Sequence, residues 1–151
     1  MEIGRMGAGA GVNKLNCIAI IDTSILLLIS LREAHLDDMM NYIAGCAPVV
    51  PTPVVRELQL IAERNGTRKS YAAKWALSNL LQFFNVIEVP VEEGKSVDDV
   101  LIEAAELMRR TKTVLIVTAD TELKDYALER GIDVVWYRKE RKGFQILTEI
   151  I

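Results

Sequence analysis

Asp22, Glu57, the Asp98-Asp99 pair and Asp120 are the residues of this chain best suited to chemistry. Carboxylates gathered in one place repel and raise one another's pKa unless something positive lies between them. The natural remedy is Mg2+ or Mn2+, hard cations that take oxygen ligands. Such an ion orients a water, lowers its pKa and stabilises charge on a phosphate in line for attack. Competing chemistries lack parts. His35 is the only histidine, so Ser-His-Asp, Cys-His and His-rich metal centres are incomplete. Cys17 and Cys46 are too few for a zinc site without histidines, and they are not expected to make a disulfide framework.

The elements that must position these acids follow from hydrophobic periodicity. Cys17 to Ile21 reads as a buried strand, followed by helices over Ser24–Leu31 and Asp37–Ala44. Pro48 to Pro51 is a short strand. Thr52 as N-cap and Pro53 at the first helical position then open a helix to about Arg64, stopped by Asn65-Gly66. A further helix is expected over Thr67–Leu81, and a strand over Phe84–Val91. Ser96 caps a helix from Val97 to about Arg110. Thr113 to Thr118 is the clearest strand. The helix from Asp120 to Arg130 stops at Gly131, and strands are expected over Ile132–Tyr137 and Phe144–Leu147. Apolar strands alternating with helices predict an α/β fold, a three-layer sandwich around a parallel sheet of about five strands. Sites in such sheets form at the carboxyl ends of the strands. Asp22 and Asp120 follow strands, Asp98 and Asp99 open a helix, and Glu57 lies in the helix after the Val49-Val50 strand. All fall on that rim.

Each acid also has a simpler role open to it. Asp22 and Asp120 suit N-caps. Asp99, three residues after Ser96, suits a capping box, and Asp98 suits the positive end of the helix. A single Glu57 on a helix is commonly solvated. The joint order of the acids on these elements is what favours a shared centre.

At these residues the sequence resembles the PIN-domain family of metal-dependent ribonucleases, from about Asn16 onward. The segments are Ile20-Ile-Asp-Thr-Ser-Ile-Leu26, Val49-Val-Pro-Thr-Pro-Val-Val-Arg-Glu57-Leu58, Asp98-Asp-Val-Leu-Ile-Glu-Ala-Ala105 and Val117-Thr-Ala-Asp120-Thr-Glu-Leu123-Lys124. Gly131-Ile-Asp-Val-Val135 follows in its expected place. The resemblance implies Mg2+ or Mn2+ held by Asp22, Asp99 and Asp120, with Glu57 as a fourth acid. Ser24 and Thr118 fall where the family places small polar side chains near the metal, and Glu122 lies close enough in sequence to support the site. Two departures stand out: Ala119 replaces a frequent Asn, and the doubled acid leaves two choices at the helix start. Asp99 matches the family register. By helical geometry, a core face of Val97, Leu101, Ala104 and Met108 leaves Asp98 at its border and Asp99 pointing away. The chain is most similar to stand-alone archaeal members akin to pre-ribosomal-RNA processing nucleases, with the toxins of toxin–antitoxin pairs as near rivals. That implies RNA as substrate and an antitoxin or a ribosome-assembly factor as partner.

The remaining residues set limits. Arg64, Arg68, Lys69 and Arg138 are candidate RNA contacts, as are Arg109, Arg110 and Lys112; each is also an ordinary solvated surface residue. Trp75, Leu77, Leu80 and Leu81 suggest a packing face or a homodimer. The net charge of −3 is unlike that of a basic nucleic-acid coat protein. The 151 residues, half of them hydrophobic, make one domain, 16–151, behind a flexible leader over 1–15. No apolar run suggests a membrane span or a secretory signal, so the cytoplasm is the expected compartment. A receiver-like signalling domain would need paired acids after the first strand, whereas Asp22 stands alone there. An inactive RNA- or protein-binding module of the same fold is the other rival.

Overall fold

In a computed structural model, residues 16–148 are described; the expected leader over 1–15 lies outside them. The chain runs β1 (Cys17–Ile21), α1 (Thr23–Ser30), α2 (Leu36–Tyr42), β2 (Ala47–Pro51), α3 (Thr52–Ala62), α4 (Arg68–Trp75) and β3 (Asn85–Ile87). It continues through α5 (Val97–Met108), β4 (Thr113–Thr118), α6 (Thr121–Glu129), β5 (Asp133–Arg138) and β6 (Gly143–Leu147). The sheet has six strands in the order β3-β2-β1-β4-β5-β6. The first five in that order are parallel, and β6 returns antiparallel beside β5, with Tyr137 opposite Phe144. The expected parallel sheet of about five strands is therefore present, with one antiparallel strand added at its edge.

Ile20 and Ile21 of β1 and Ile116 and Val117 of β4 are fully buried, because helices cover both faces of the sheet there. Ile25 and Leu26 of α1, Leu58 of α3, Leu101 and Ile102 of α5 and Leu123 of α6 complete the core. The strand order reverses between β1 and β4. From β1 the chain winds outward to β2 and β3, then crosses back to β4 and β5. The crevice at such a reversal is where open α/β sheets place their sites, and both strands deliver an acid to it.

Four local expectations are corrected. Thr52 is not the cap of α3. The helix starts at Thr52, after Pro51, and the Thr52 hydroxyl instead accepts from the Val89 amide at 3.0 Å. That bond holds the chain where β3 ends early, and Pro90 next to it has no amide to extend the ladder. The single helix expected over Thr67–Leu81 changes pitch after Trp75, into a π-helical turn over Ala76–Leu80 and a 3-10 turn over Leu81–Phe83. This turns Ala76 and Leu80 into the core, with Leu77 and Leu81 packed against it, so Trp75 alone of the expected apolar face is substantially exposed. Finally, Cys17 and Cys46 form a disulfide. Ile18 pairs with Ala47 across β1 and β2, so the residues one step earlier on each strand stand side by side. A separation of 29 residues carries no hint of that pairing without the sheet register.

Candidate metal centre

Asp22 occupies the N-cap position of α1, yet its side chain makes no capping hydrogen bond to the helix. The Asp22 amide is tied to the Val117 carbonyl at 3.0 Å, which fixes it at the β1–β4 crevice. Its carboxylate is only 5% exposed and turns toward β4. Oδ2 accepts from the Ser24 hydroxyl at 2.7 Å and from the Thr118 hydroxyl at 2.8 Å. Each hydroxyl in turn accepts a backbone amide, Ser24 from Ala119 and Thr118 from Asp120, both at 3.0 Å. With both hydroxyl protons committed to Asp22, two backbone dipoles are relayed onto one buried carboxylate. Burial pushes the Asp22 pKa up and the nearby Glu57 charge adds to that, while the Ser24, Thr118 and Thr23 donors work against it.

Glu57 reaches the crevice from α3 and accepts a hydrogen bond from Thr23, the residue after Asp22. Asp120 caps α6, its Oδ1 accepting from the Glu122 amide at 2.8 Å, and its side chain is exposed at the rim. The helix-start pair divides its roles. Asp98 is half-buried, and its pKa is pushed up to about 6, first by burial and then by the charges of Asp22, Asp120, Glu57 and Glu122. Asp99 instead accepts from Tyr126 at 2.9 Å and completes a capping box with Ser96, contacts that hold its pKa below the usual value. Lys95 adds to that lowering.

The family register favours Asp99, whereas the buried face of α5 lies closer to Asp98. The buried residues are Val100, Leu101, Ile102 and Ala105, with Val97 and Met108 only partly covered. Asp98 precedes Leu101, Ile102 and Ala105 by three, four and seven residues, and so lies on their stripe. Asp99 shares its stripe with Glu103 and Glu106, which face solvent and pair with Lys95 and Arg130. The geometry therefore puts Asp98, rather than Asp99, among the other acids.

These residues suit a hard cation. The charges that raise the Asp22 and Asp98 pKa values, after burial, are those of other carboxylates: Glu57 on Asp22, and Asp22, Asp120, Glu57 and Glu122 on Asp98. Among the described residues, however, no three acids converge closely enough to form a ready-made cage. That is compatible with Mg2+, which keeps several waters and binds through one or two carboxylates together with substrate phosphates. Asp22, Asp98 and Asp120 are the acids that the structure brings to this crevice, and Glu57 reaches it with Thr23.

The expected phosphate contacts separate into groups. Arg64, Arg68 and Lys69 line one cleft together with Glu57. Arg138 lies elsewhere, on β5, with its guanidinium 5.7 Å from the Trp136 ring. Arg109 donates to the carbonyls of Arg130 and Gly131, so it closes the end of α6. Two supporting residues had escaped notice. Thr23 was visible beside Asp22 in the first motif, whereas Tyr126, which draws Asp99 away, left no local signal.

A family model described as a PIN-like domain matches residues 19–140. The chain belongs to the PIN-domain family. A curated relative of this PIN domain, Ribonuclease VapC9 of Archaeoglobus fulgidus, is 31% identical over 137 residues, covering 91% of this chain and 94% of that one. Among solved structures, the PIN domain endonuclease Utp24 superposes with a TM-score of 0.62 at 20% identity, over 88% of this chain and 94% of that one. A domain of a functionally unknown protein from Methanocaldococcus jannaschii gives 0.58 at 15% identity, over 90% and 98%. The last two likenesses establish the fold of this PIN domain. No helix among the described residues is long and apolar enough to cross a membrane.

Proposed function

We propose that this PIN domain is a Mg2+- or Mn2+-dependent endoribonuclease of the cytoplasm that hydrolyses RNA phosphodiester bonds. The observation that carries the reading is the buried Asp22 carboxylate, fixed by Ser24 and Thr118 and close enough to Asp98 and Glu57 for their charges to act on one another. Asp22, Asp98 and Asp120 would hold the ion. When bound, it supplies a more acidic water and charge stabilisation on the phosphate. Glu57, held by the Thr23 hydroxyl, would be the residue to orient the attacking water and take up its proton. Asp99 stays with Tyr126 and Ser96 as a structural cap.

Sequence kinship to Ribonuclease VapC9 over nearly the whole chain supports a toxin-type ribonuclease with an antitoxin partner. The likeness to the PIN domain endonuclease Utp24 is one of fold alone. A homodimer is part of this reading, with the exposed Trp75 as one candidate contact. RNA cleavage by the wild type and by Asp22→Asn, Asp98→Asn and Asp120→Asn tests the central reading. Wild-type cleavage should require Mg2+ or Mn2+, and each variant should lose it while keeping its fold. An Asp22→Asn protein that cuts RNA at the wild-type rate in Mn2+ would leave the proposal without its centre.

A further inference from the structure

Lys124 and Arg138 converge on one aromatic ring. Lys124 stands one helical turn beyond Asp120 on α6, its amide donating to the Asp120 carbonyl at 3.0 Å. Its ammonium lies 4.1 Å from the centre of the Trp136 ring. Trp136 and Arg138 are two residues apart on β5 and so share a face of the sheet. The Arg138 guanidinium lies 5.7 Å from the same ring. Each cation is drawn to the indole, which gathers two like charges within about 10 Å of each other. The acids that answer them are weak partners. Lys124 pairs with its neighbour Asp125 at 3.2 Å, and Glu140 stands 4.0 Å from the Arg138 Nε, beyond hydrogen-bond reach. Both of these carboxylates are exposed, whereas the Lys124 and Arg138 side chains are only 16% and 33% exposed. Water therefore screens the two cations less than it would on an open surface.

Two donors are also left over. The Trp136 Nε1 and the Arg138 Nε are buried and have no hydrogen-bond partner among the described residues. Such groups are uncommon in folded proteins, and each calls for an acceptor. The residues opposite Trp136 in β4 and β6 are Thr118 and Gln145, neither of which adds a carboxylate. What this group lacks is a compact anion rich in acceptor oxygens. A phosphate monoester carries close to two negative charges at neutral pH and three such oxygens, which matches two cations and two N–H donors. We propose that Lys124, Trp136 and Arg138 form a binding site for a phosphate monoester dianion. The site lies on the β5 side of the crevice, one strand beyond Thr118 and roughly 10 Å from Asp22 at two strand spacings. Glu57 enters from the other side, so the acidic centre lies between. A terminal phosphate of an RNA strand and free phosphate share this chemistry. The site stands on its own residues and goes beyond the ribonuclease reading.

The test uses the full chain as Trp75→Phe, which leaves Trp136 as its only tryptophan. In EDTA at constant ionic strength, inorganic phosphate should change the Trp136 emission and saturate, and chloride should not. Adding Lys124→Gln or Arg138→Gln should weaken that response about tenfold or more, the loss of one charge-assisted contact. Melting curves confirm that each variant is folded, and the two substitutions serve as alternatives if one of them is not. Binding of oligouridines with a 5′-phosphate, a 3′-phosphate or neither then separates the sources. Tighter binding of a phosphorylated oligomer, lost in Arg138→Gln, assigns the site to an RNA end. Equal binding of all three, beside a Trp136 that responds to phosphate, assigns it to free phosphate. If phosphate leaves the emission unchanged and no phosphorylated end is preferred, the proposal is overturned. A response that survives both substitutions overturns it as well. RNA cleavage in Mn2+ reads the other level. A protein that binds phosphate here and cuts no RNA keeps this site and loses only the ribonuclease reading.

Discussion

Asp98 and Asp99 are adjacent and identical in type, yet replacing them should have opposite consequences. The Asp98 carboxyl moves from 3.8 to about 6 on folding. For an acid, a raised pKa means that the folded state holds the proton more tightly than the unfolded chain. Asp98 therefore contributes stability below about pH 4, and that contribution is lost as the pH rises through about 6. A shift of about two units corresponds to about 3 kcal/mol. Asp98 is only half-buried, and screening by solvent reduces this to roughly 1–1.5 kcal/mol. In EDTA at pH 7.5, Asp98→Asn should thus melt above the wild type, by roughly 2–4 °C per kcal/mol for a domain of this size. The gain should disappear by about pH 4.

Asp99→Ala should melt below the wild type at neutral pH, because it loses the Tyr126 hydrogen bond and half of the capping box. The Asp99 pKa is lowered, so its contribution is present at neutral pH and lost on acidification. Melting curves from pH 4 to 8 in EDTA, repeated with Mn2+ titrated in, read both effects. Mn2+ should raise the melting temperature of Asp99→Ala as it does that of the wild type, and should leave Asp98→Asn nearly unmoved. RNA cleavage should follow the same division. If Asp98→Asn is destabilised at pH 7.5, or responds to Mn2+ while Asp99→Ala does not, the division of roles between the two acids is wrong.

Removing the Cys17–Cys46 bond, which closes a separation of 29 residues, should cost up to about 3–4 kcal/mol on the loop-entropy argument. Cys17→Ala/Cys46→Ala should then melt lower while still cutting RNA, because the bond lies at the end of β1 away from Asp22; an unchanged melting temperature counts against the pairing. Ser24→Ala and Thr118→Val each remove a donor to Asp22, so the acid limb of the activity profile should move to higher pH, and a profile that stays in place argues against the relay. Glu57→Gln keeps the partner of Thr23 but loses the base, so kcat should fall while Mn2+ still raises the melting temperature; loss of the Mn2+ response would make Glu57 a ligand instead.

The parallel sheet and the ends of β1 and β4 were legible in the sequence because both depend on local patterns. Cys17 to Ile21 and Val114 to Val117 are unbroken apolar runs with a polar residue just beyond, and such runs announce a buried strand and its exit point. The choice between Asp98 and Asp99 was not local. Helical spacing sets Asp98 at the border of the core face while the family register favours Asp99, and what separates them is Tyr126 of another helix reaching Asp99, which no local pattern reveals. The same holds for Cys17 and Cys46, and for the cleft that gathers Arg64, Arg68 and Lys69 beside Glu57. Each needs two elements distant in sequence to be set in register before the residues meet.

Capping and ion binding are usually weighed as rivals for an acid at a helix start, but in this crevice they act together. Asp22 stands at the start of α1, Asp98 in the first turn of α5 and Asp120 at the start of α6. Three positive helix ends therefore meet the three carboxylates, each favouring a nearby negative charge by roughly 0.3–1 kcal/mol. Those ends offset part of the cost that burial first, and then the neighbouring carboxylates, impose on the ionised Asp98. The offset is incomplete, because the pKa of Asp98 remains at about 6. On the proposed metal-dependent reading, affinity for a divalent ion should therefore grow as the pH rises through about 6 and Asp98 loses its proton, and a Mn2+ affinity that does not change between about pH 5 and 7.5 would count against Asp98 as a ligand.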